Sequence, residues 1–291
     1  MPYINKSVLM SDAKNFSNQQ PINPYYRHES IDCDKANQEL SKIRDILIDA
    51  GVKVTTVPSP EGCQDGVYTA NWALVRGDNA VLSSLPNARQ SEEAYAEKVL
   101  TRMGKKVVHV PKGFKFSGQG DALACGDYLF CGCNYRSDVY AQKFAAEILG
   151  FKLVQLQTIP QIDSNGKTVI NQFSGWADSF FYDIDIALAI IKKPSNGKKG
   201  LIAYCPQAFT PDSLEKLIAF DTVDKIEVSI DEAMNGFATN LVSTGETVIM
   251  GANAPELTNK LRNHGLTVIT PEVTELAKGG GYIRCVTLTI D

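Results

Sequence analysis

Histidine is scarce in this 291-residue chain: His28, His109 and His264 are the whole supply. They lie far apart, and no Cys/His pairs fall at zinc-like spacing. His28 follows the loop segment Tyr25-Tyr26-Arg27, His109 sits in the predicted strand KVVHVP, and His264 precedes a helix-ending glycine, so all three read as structural. Charge of one sign is lacking as well. The 29 Lys and Arg against 33 Asp and Glu leave a net charge of −4, which gives neither nucleic acid nor an anionic membrane a basic surface to bind. The longest apolar runs, such as Ile186 to Ile191, are far too short to span a bilayer. The opening MPYINKSVLMSD has neither the basic start nor the long apolar stretch of a signal peptide, so a cytoplasmic protein is expected. No metal-ligand set, phosphate loop or nucleotide fingerprint is visible; Asn196-Gly197-Lys198-Lys199 lacks phosphate-loop spacing and reads as a turn. No cofactor is expected.

What is present fits an ordinary globular protein, with 44% hydrophobic and 21% charged residues and enough length to bury a sizeable core. The seven cysteines are odd in number and the chain is large, which argues against a disulfide framework. Cys131-Gly132-Cys133, in the strand-like run DYLFCGC, reads as a pair of buried structural thiols.

The clearest pattern is a recurring helix–glycine–strand step. DKANQELSKIRDILIDAG ends at Gly51 before VKVTTV, and SEEAYAEKVLTRMG ends at Gly104 before KKVVHV. SDVYAQKFAAEILG ends at Gly150 before FKLVQL, and APELTNKLRNHG ends at Gly265 before LTVIT. A less regular copy begins at Thr210-Pro211 and runs to KIEVSI, making five in all. Apolar residues recur every three or four positions in each helix, and each glycine suits a left-handed helix stop. Between the steps lie strand pairs: GVYTANWALV with NAVLSS, ALACGDYLFCG, FFYDIDIALAII with GLIAYC, and GFATNLVSTGETVIMG. The fifth pair joins the C-terminal GYIRCVTLTI to the N-terminal KSVLM and would close a ring. Such periodicity predicts a propeller or solenoid, and no linker divides the chain, so residues 1–291 read as one domain.

Seven segments in order on this repeat carry a family resemblance. They are SVLMSDAKNF with INPYY, DGVYTANWALV, Pro86-Asn87-Ala88-Arg89 with Glu92, GQGDAL, Arg136-Ser137, NGFATNLVSTGETVIM, and GGGYIRCVTL. Together they resemble the pentein superfamily, in particular its amidinotransferase and dimethylargininase group, over nearly the whole chain. The resemblance implies an α/β fold: a five-bladed α/β propeller of pseudo-fivefold ββαβ repeats around a central channel that holds the active site.

The resemblance also assigns roles. Cys285, after Gly279-Gly280-Gly281 and on a predicted strand with Val286, Leu288 and Ile290 alternating, matches the nucleophile that attacks a guanidinium carbon. A guanidinium is planar and cationic, so carboxylates that accept its forked donors are needed to fix it. Asp65 and Asp121 match the family's two guanidinium-binding acids, with Arg89, Arg136, Asp185 and Asn71 completing the expected substrate-binding set. Where relatives carry a catalytic histidine in a pattern like Phe-Tyr-His-x-Asp, this chain reads Phe181-Tyr182-Asp183-Ile184-Asp185. Asp183 is expected to act as acid and base if burial and neighbouring charge raise its pKa, or else to be a third guanidinium ligand with water or substrate moving the proton. Ala70 and Asn71 stand where dimethylargininases tend to have acids, which leaves methylarginine specificity unsupported. The reading is a guanidino-modifying enzyme, a hydrolase of an arginine-like substrate through a covalent Cys285 intermediate. The alternative is an impaired or non-catalytic pentein that binds a guanidino ligand or serves as a scaffold. Which guanidino compound, hydrolysis against amidino transfer, and oligomeric state stay open at this level.

Overall fold

β1 (Ser7–Ser11) leads into a helix whose start and stop are both written in the sequence. In the computed structural model, which describes residues 3–291, Asp32 accepts a hydrogen bond from the Lys35 N–H and opens α1 (Cys33–Asp49). Met1 and Pro2, the first residues of the stretch read for a leader, lie outside the described residues. Leu40, Ile43 and Leu47 line the buried face of α1, and Gly51, at φ +83°, releases the chain into β2 (Lys53–Val57). β2 lies parallel to β1, with Val8 opposite Val54.

The same plan recurs along the chain. β3 (Ala73–Arg76) and β4 (Asn79–Leu82) form a hairpin, and α2 (Ser91–Arg102) crosses to β5 (Lys106–His109), parallel to β4. β6 (Ala122–Cys125), β7 (Tyr128–Gly132), α3 (Val139–Leu149) and β8 (Lys152–Leu156) repeat it. So do β9 (Leu188–Lys192), β10 (Gly200–Tyr204), α4 (Pro211–Ala219) and β11 (Val223–Glu227). After a short α5 (Ile230–Gly236) come β12 (Val242–Ser243), β13 (Thr247–Ile249), α6 (Pro255–Asn263) and β14 (Thr267–Ile269). The terminal β15 (Leu288–Thr289) pairs antiparallel with β1, Val8 opposite Thr289, and supplies the hairpin partner that the first unit lacks. Among the described residues the strands therefore form five three-stranded sheets of one order, hairpin then parallel crossover. The fold is mixed α/β. Each helix covers its own sheet: Leu40, Ile43 and Leu47 pack with Val8 and Met10, and Ala141, Ala145 and Leu149 pack with Leu129 and Cys131. No helix among the described residues is long and apolar enough to cross a membrane.

Two expectations change. GVYTANW does not begin a strand: Thr69–Trp72 is a 3-10 turn and β3 starts only at Ala73. Nor does Cys285 lie on a strand. Residues 283–286 form a turn, held by the Thr287 N–H to the Arg284 carbonyl at 3.1 Å, and β15 begins three residues after the cysteine. The alternation of Val286, Leu288 and Ile290 reflects burial, since all three are in the interior, but extended pairing covers only its end.

These turns position the chemistry. In every sheet the first strand of the hairpin is approached through a turn that carries a polar residue one to three positions before the strand. The five are Asn71 before β3, Asp121 before β6, Asp185 before β9, Asn240 before β12 and Cys285 before β15.

Candidate active site

Cys285 is buried, and its sulfur has two polar neighbours. The Asn240 amide Nδ2 donates to Sγ at 3.1 Å, and Sγ lies 3.4 Å from Asp185 Oδ2. The other end of the Asn240 amide accepts from the backbone N–H groups of Arg284 and Cys285, at 3.0 and 3.1 Å, which fixes the turn. Asn240 is held in its own loop after Phe237, at φ +48°, ends α5. The preceding glycines allow this approach: a Cβ on Gly281 would lie 2.4 Å from the Tyr68 ring, and one on Gly279 would lie 2.4 Å from its hydroxyl.

Facing the thiol is a cavity of about 20 Å³, lined by Asp65, Asn71, Arg136, Tyr182, Asp183 and Cys285 among others. Asp183 leads into the 3-10 turn Ile184–Ile186 that carries Asp185 to the far side. Its Oδ2 accepts from Asn71 Nδ2 at 2.7 Å. Gly120 leaves room for that bond, since a Cβ there would lie 2.6 Å from the same oxygen. Asp121 sits behind, its Oδ1 accepting the Ile184 N–H at 3.0 Å. Asp65 accepts from the Tyr26 hydroxyl at 2.5 Å and from Gln64 at 2.9 Å.

Arg89 also borders the cavity but is committed to holding the frame. Its fork grips Glu92 at 2.9 and 2.7 Å, a further donor goes to Asn71 Oδ1 at 2.9 Å, and others reach the carbonyls of Asp65 and Tyr68. Glu92, Arg89, Asn71 and Asp183 thus form one chain of bonds leading into the site. Arg136 donates to the Ile22 carbonyl and lies over the Tyr182 ring, 4.9 Å from its centroid. The structure brings Asp65, Asn71, Arg89, Arg136, Asp183 and Cys285 to one cavity. Asp121 and Asp185 are buried just behind it.

Electrostatics favour a cation. Asp121 Oδ2, Asp183 Oδ1 and Asp185 Oδ1 are buried without partners among the described residues. Burial, and then the charge of Asp183, push Asp121 and Asp185 well above the usual carboxylate range. Burial also raises Asp183, held back by Arg136 and the Asn71 bond, and raises Asp65, held back by Arg89. Burial, with the Asp185 charge beside it, pushes the Cys285 thiol well up. A planar cation with several N–H donors would offer partners to the free oxygens of Asp121 and Asp183. No His, Cys, Asp or Glu group among the described residues is arranged to hold a metal ion. The histidines stay away: His109 pairs with Glu97 at 3.1 Å, and His28 and His264 are exposed. Sequence reasoning missed Asn240, whose only signal was a polar residue amid the buried run Ala238 to Val242.

No protein-family model matches the chain. It is 30% identical over 289 residues to the bifunctional arginine dihydrolase/ornithine cyclodeaminase AgrE of Nostoc sp., an alignment covering 97% of this chain and 37% of that protein. The chain thus spans little more than a third of this relative's length. It is 29% identical over 275 residues to the N(G),N(G)-dimethylarginine dimethylaminohydrolase of Mycobacterium tuberculosis, covering 92% of this chain and 80% of that one. Among solved structures, the N-terminal domain of a variant of ArgZ covalently bound to a reaction intermediate superposes with a TM-score of 0.84 at 28% identity. That match covers 98% of this chain and 97% of the other.

Proposed function

The chain belongs to the pentein superfamily, in its amidinotransferase and dimethylarginine dimethylaminohydrolase-like group, and from that premise we propose that it hydrolyses the guanidino group of an arginine-like substrate through Cys285. The observation that carries the reading is the placement of the Cys285 sulfur. It lies between an amide donor, Asn240, and a carboxylate, Asp185, at a cavity whose other polar walls include Asp65, Asp183 and Arg136. The relatives act, by name, on arginine and on dimethylarginine, both of which carry the cation that the free carboxylate oxygens call for.

The residues divide the work as follows. Asp121 Oδ2 and Asp183 Oδ1 accept the guanidinium N–H donors, and the Cys285 thiolate attacks the central carbon. The C–N bond to the departing amine breaks as the Asp183 carboxyl gives it a proton, leaving an amidino-thioether. Asp183, now a carboxylate, takes a proton from water as it attacks the adduct carbon; the C–S bond breaks and the ureido product leaves. Burial raises the Asp183 carboxyl towards this role, and the Asn71 bond aims it. Arg136 answers the substrate's carboxylate end. Asp65, expected as a guanidinium-binding acid, has its oxygens engaged by Tyr26 and Gln64 and serves the frame of the cavity instead. Arg89 acts through Asn71 and the Asp65 loop and does not itself touch the guanidinium.

The architecture belongs to the same proposal: residues 1–291 form one domain, and the five sheets close as five blades, with the site where the polar turns converge. The identical strand order and the β15–β1 pairing support it. The test is incubation with arginine, methylated arginines and agmatine. Amine release and a transient mass increase on Cys285 are expected, both absent in Cys285→Ser. Full turnover by that variant would overturn the mechanism.

A further inference from the structure

Behind Cys285, away from the front cavity, lies a second and larger one of about 510 Å³, lined in part by Asp185, Arg284, Thr239, Gln119 and the exposed Ala124. Three of these are almost fully enclosed, Asp185 at 0% exposure, Thr239 at 1% and Arg284 at 7%. Each keeps one polar atom without a partner among the described residues: Asp185 Oδ1, Thr239 Oγ1 and Arg284 Nε. The remaining donors of Arg284 are fixed, to Thr289 Oγ1 at 3.0 Å and Gln119 Oε1 at 2.9 Å, so its orientation is set. A polar cavity of this size takes up water, and buried atoms of this kind are its usual anchors.

Asp185 connects the two sides. Its Oδ2 is the contact of the Cys285 sulfur, at 3.4 Å. The other polar neighbour of that sulfur, Asn240 Nδ2, is a donor and takes no proton, so the thiol hydrogen points to Asp185. The front cavity has room for about one water, and a guanidinium seated against Cys285, as proposed above, would displace it and leave no solvent beside the thiol on that side. The thiol must nevertheless lose its proton while the substrate is in place.

We propose that Asp185 is the proton port of the site, passing the Cys285 thiol proton to water in the rear cavity, with Thr239 and Arg284 anchoring that water. The S–H bond breaks as an O–H bond forms at Oδ2, and the proton held on Oδ1 goes to a rear-cavity water. Asp185 ends as it began, a neutral carboxyl, and one proton has moved from sulfur to solvent. The inference rests on the nucleophilic role of Cys285. It gives Asp185 a part in the chemistry and makes Thr239 and Arg284 positioning residues.

The test is single-turnover formation of the Cys285 adduct with arginine, followed by rapid quench and intact mass. Two rear-cavity variants are compared with wild type: Thr239→Val, which removes a water anchor, and Ala124→Trp, which fills the cavity at its exposed rim. Both are expected to slow adduct formation by about fivefold to tenfold, less than the roughly 10²–10⁴-fold of a whole proton-transfer contribution because Asp185 itself stays in place. Arginine affinity, measured in a Cys285→Ser background, should hold, and the slowing of the wild type in D2O should change in the variants. Wild-type rates and an unchanged D2O effect in both variants would overturn the port. If wild type itself forms no adduct, the guanidino chemistry has failed instead. Alkylation of Cys285 by iodoacetamide, which needs only the thiolate, then reads the port alone: slower labelling in both variants supports it, and equal labelling refutes it.

Discussion

At the scale of single residues, Asp183 carries the most unusual demand. A free aspartate has a pKa of about 3.9 and holds no proton to give at neutral pH. Here burial raises it, and Arg136 and the Asn71 amide keep the rise from running away. One oxygen is aimed by Asn71 at 2.7 Å, and the other has no partner among the described residues. Asp183→Asn keeps the shape and the amide contact but removes the exchangeable proton. Turnover of arginine is expected to fall by about a hundredfold or more. Because Asp183 both protonates the departing amine and activates water, the thioether adduct should form more slowly than in wild type and, once formed, decay more slowly in intact-mass time courses. A variant that turns over normally would remove Asp183 from the proton chemistry. The acids and the nucleophile were legible in the sequence because each sits in a segment with its own punctuation, such as GQGDAL and GGGYIRC. Asn240 was not, because an amide that works through space 45 residues from its partner leaves no periodicity.

At the scale of elements, the helix–glycine–strand steps were legible because their physics is local. Gly51, Gly104, Gly150 and Gly265 all adopt positive φ, which few other residues accept. The polar turns before each hairpin were harder to see. GVYTANW and YIRCVT have the apolar content of strands, and only long-range bonds, such as those from the Arg284 and Cys285 N–H groups to Asn240, bend the second into a turn. A similar long-range hold ties the first helix to the glycine approach. Glu39 on α1 accepts the backbone N–H groups of Thr274, Glu275 and Leu276, at 2.7, 2.9 and 3.0 Å, at the start of the turn that becomes Gly279-Gly280-Gly281. Its carboxylate is largely buried, so its loss strands several donors. Glu39→Ala should cost about 2–4 kcal/mol of unfolding free energy. The urea midpoint should fall with the slope unchanged, whereas a wild-type midpoint would show that the loop stands without this support.

At the scale of the whole molecule, the buried carboxyls make the fold a proton store. Asp121, Asp183 and Asp185 all lie above their ordinary value of 3.8 in the folded chain. Between that value and their folded values the native state binds more protons than the unfolded one. The stability they contribute is therefore fully present below 3.8 and is lost as pH rises through the folded pKa values. Other groups oppose the trend, notably Glu275, which burial would raise but which the Lys278 and Asp32 bonds hold low. The trend is best read as a difference. Asp121→Asn can keep the Ile184 N–H bond while removing one titrating group, so its melting temperature relative to wild type should climb between about pH 5 and pH 8. A guanidinium inverts the balance at Asp121, since the cation favours its ionised form and draws that proton out of the site, while Asp183 and Asp185 keep theirs for the chemistry. Arginine should therefore raise the wild-type melting temperature more at the upper end of that range, and its binding should release protons in calorimetry across buffers of different ionisation enthalpy. Parallel pH curves for the two proteins, with binding that releases no protons, would mean that these carboxyls are already ionised in the folded chain. The cation would then be drawn by full charges rather than by a proton exchange.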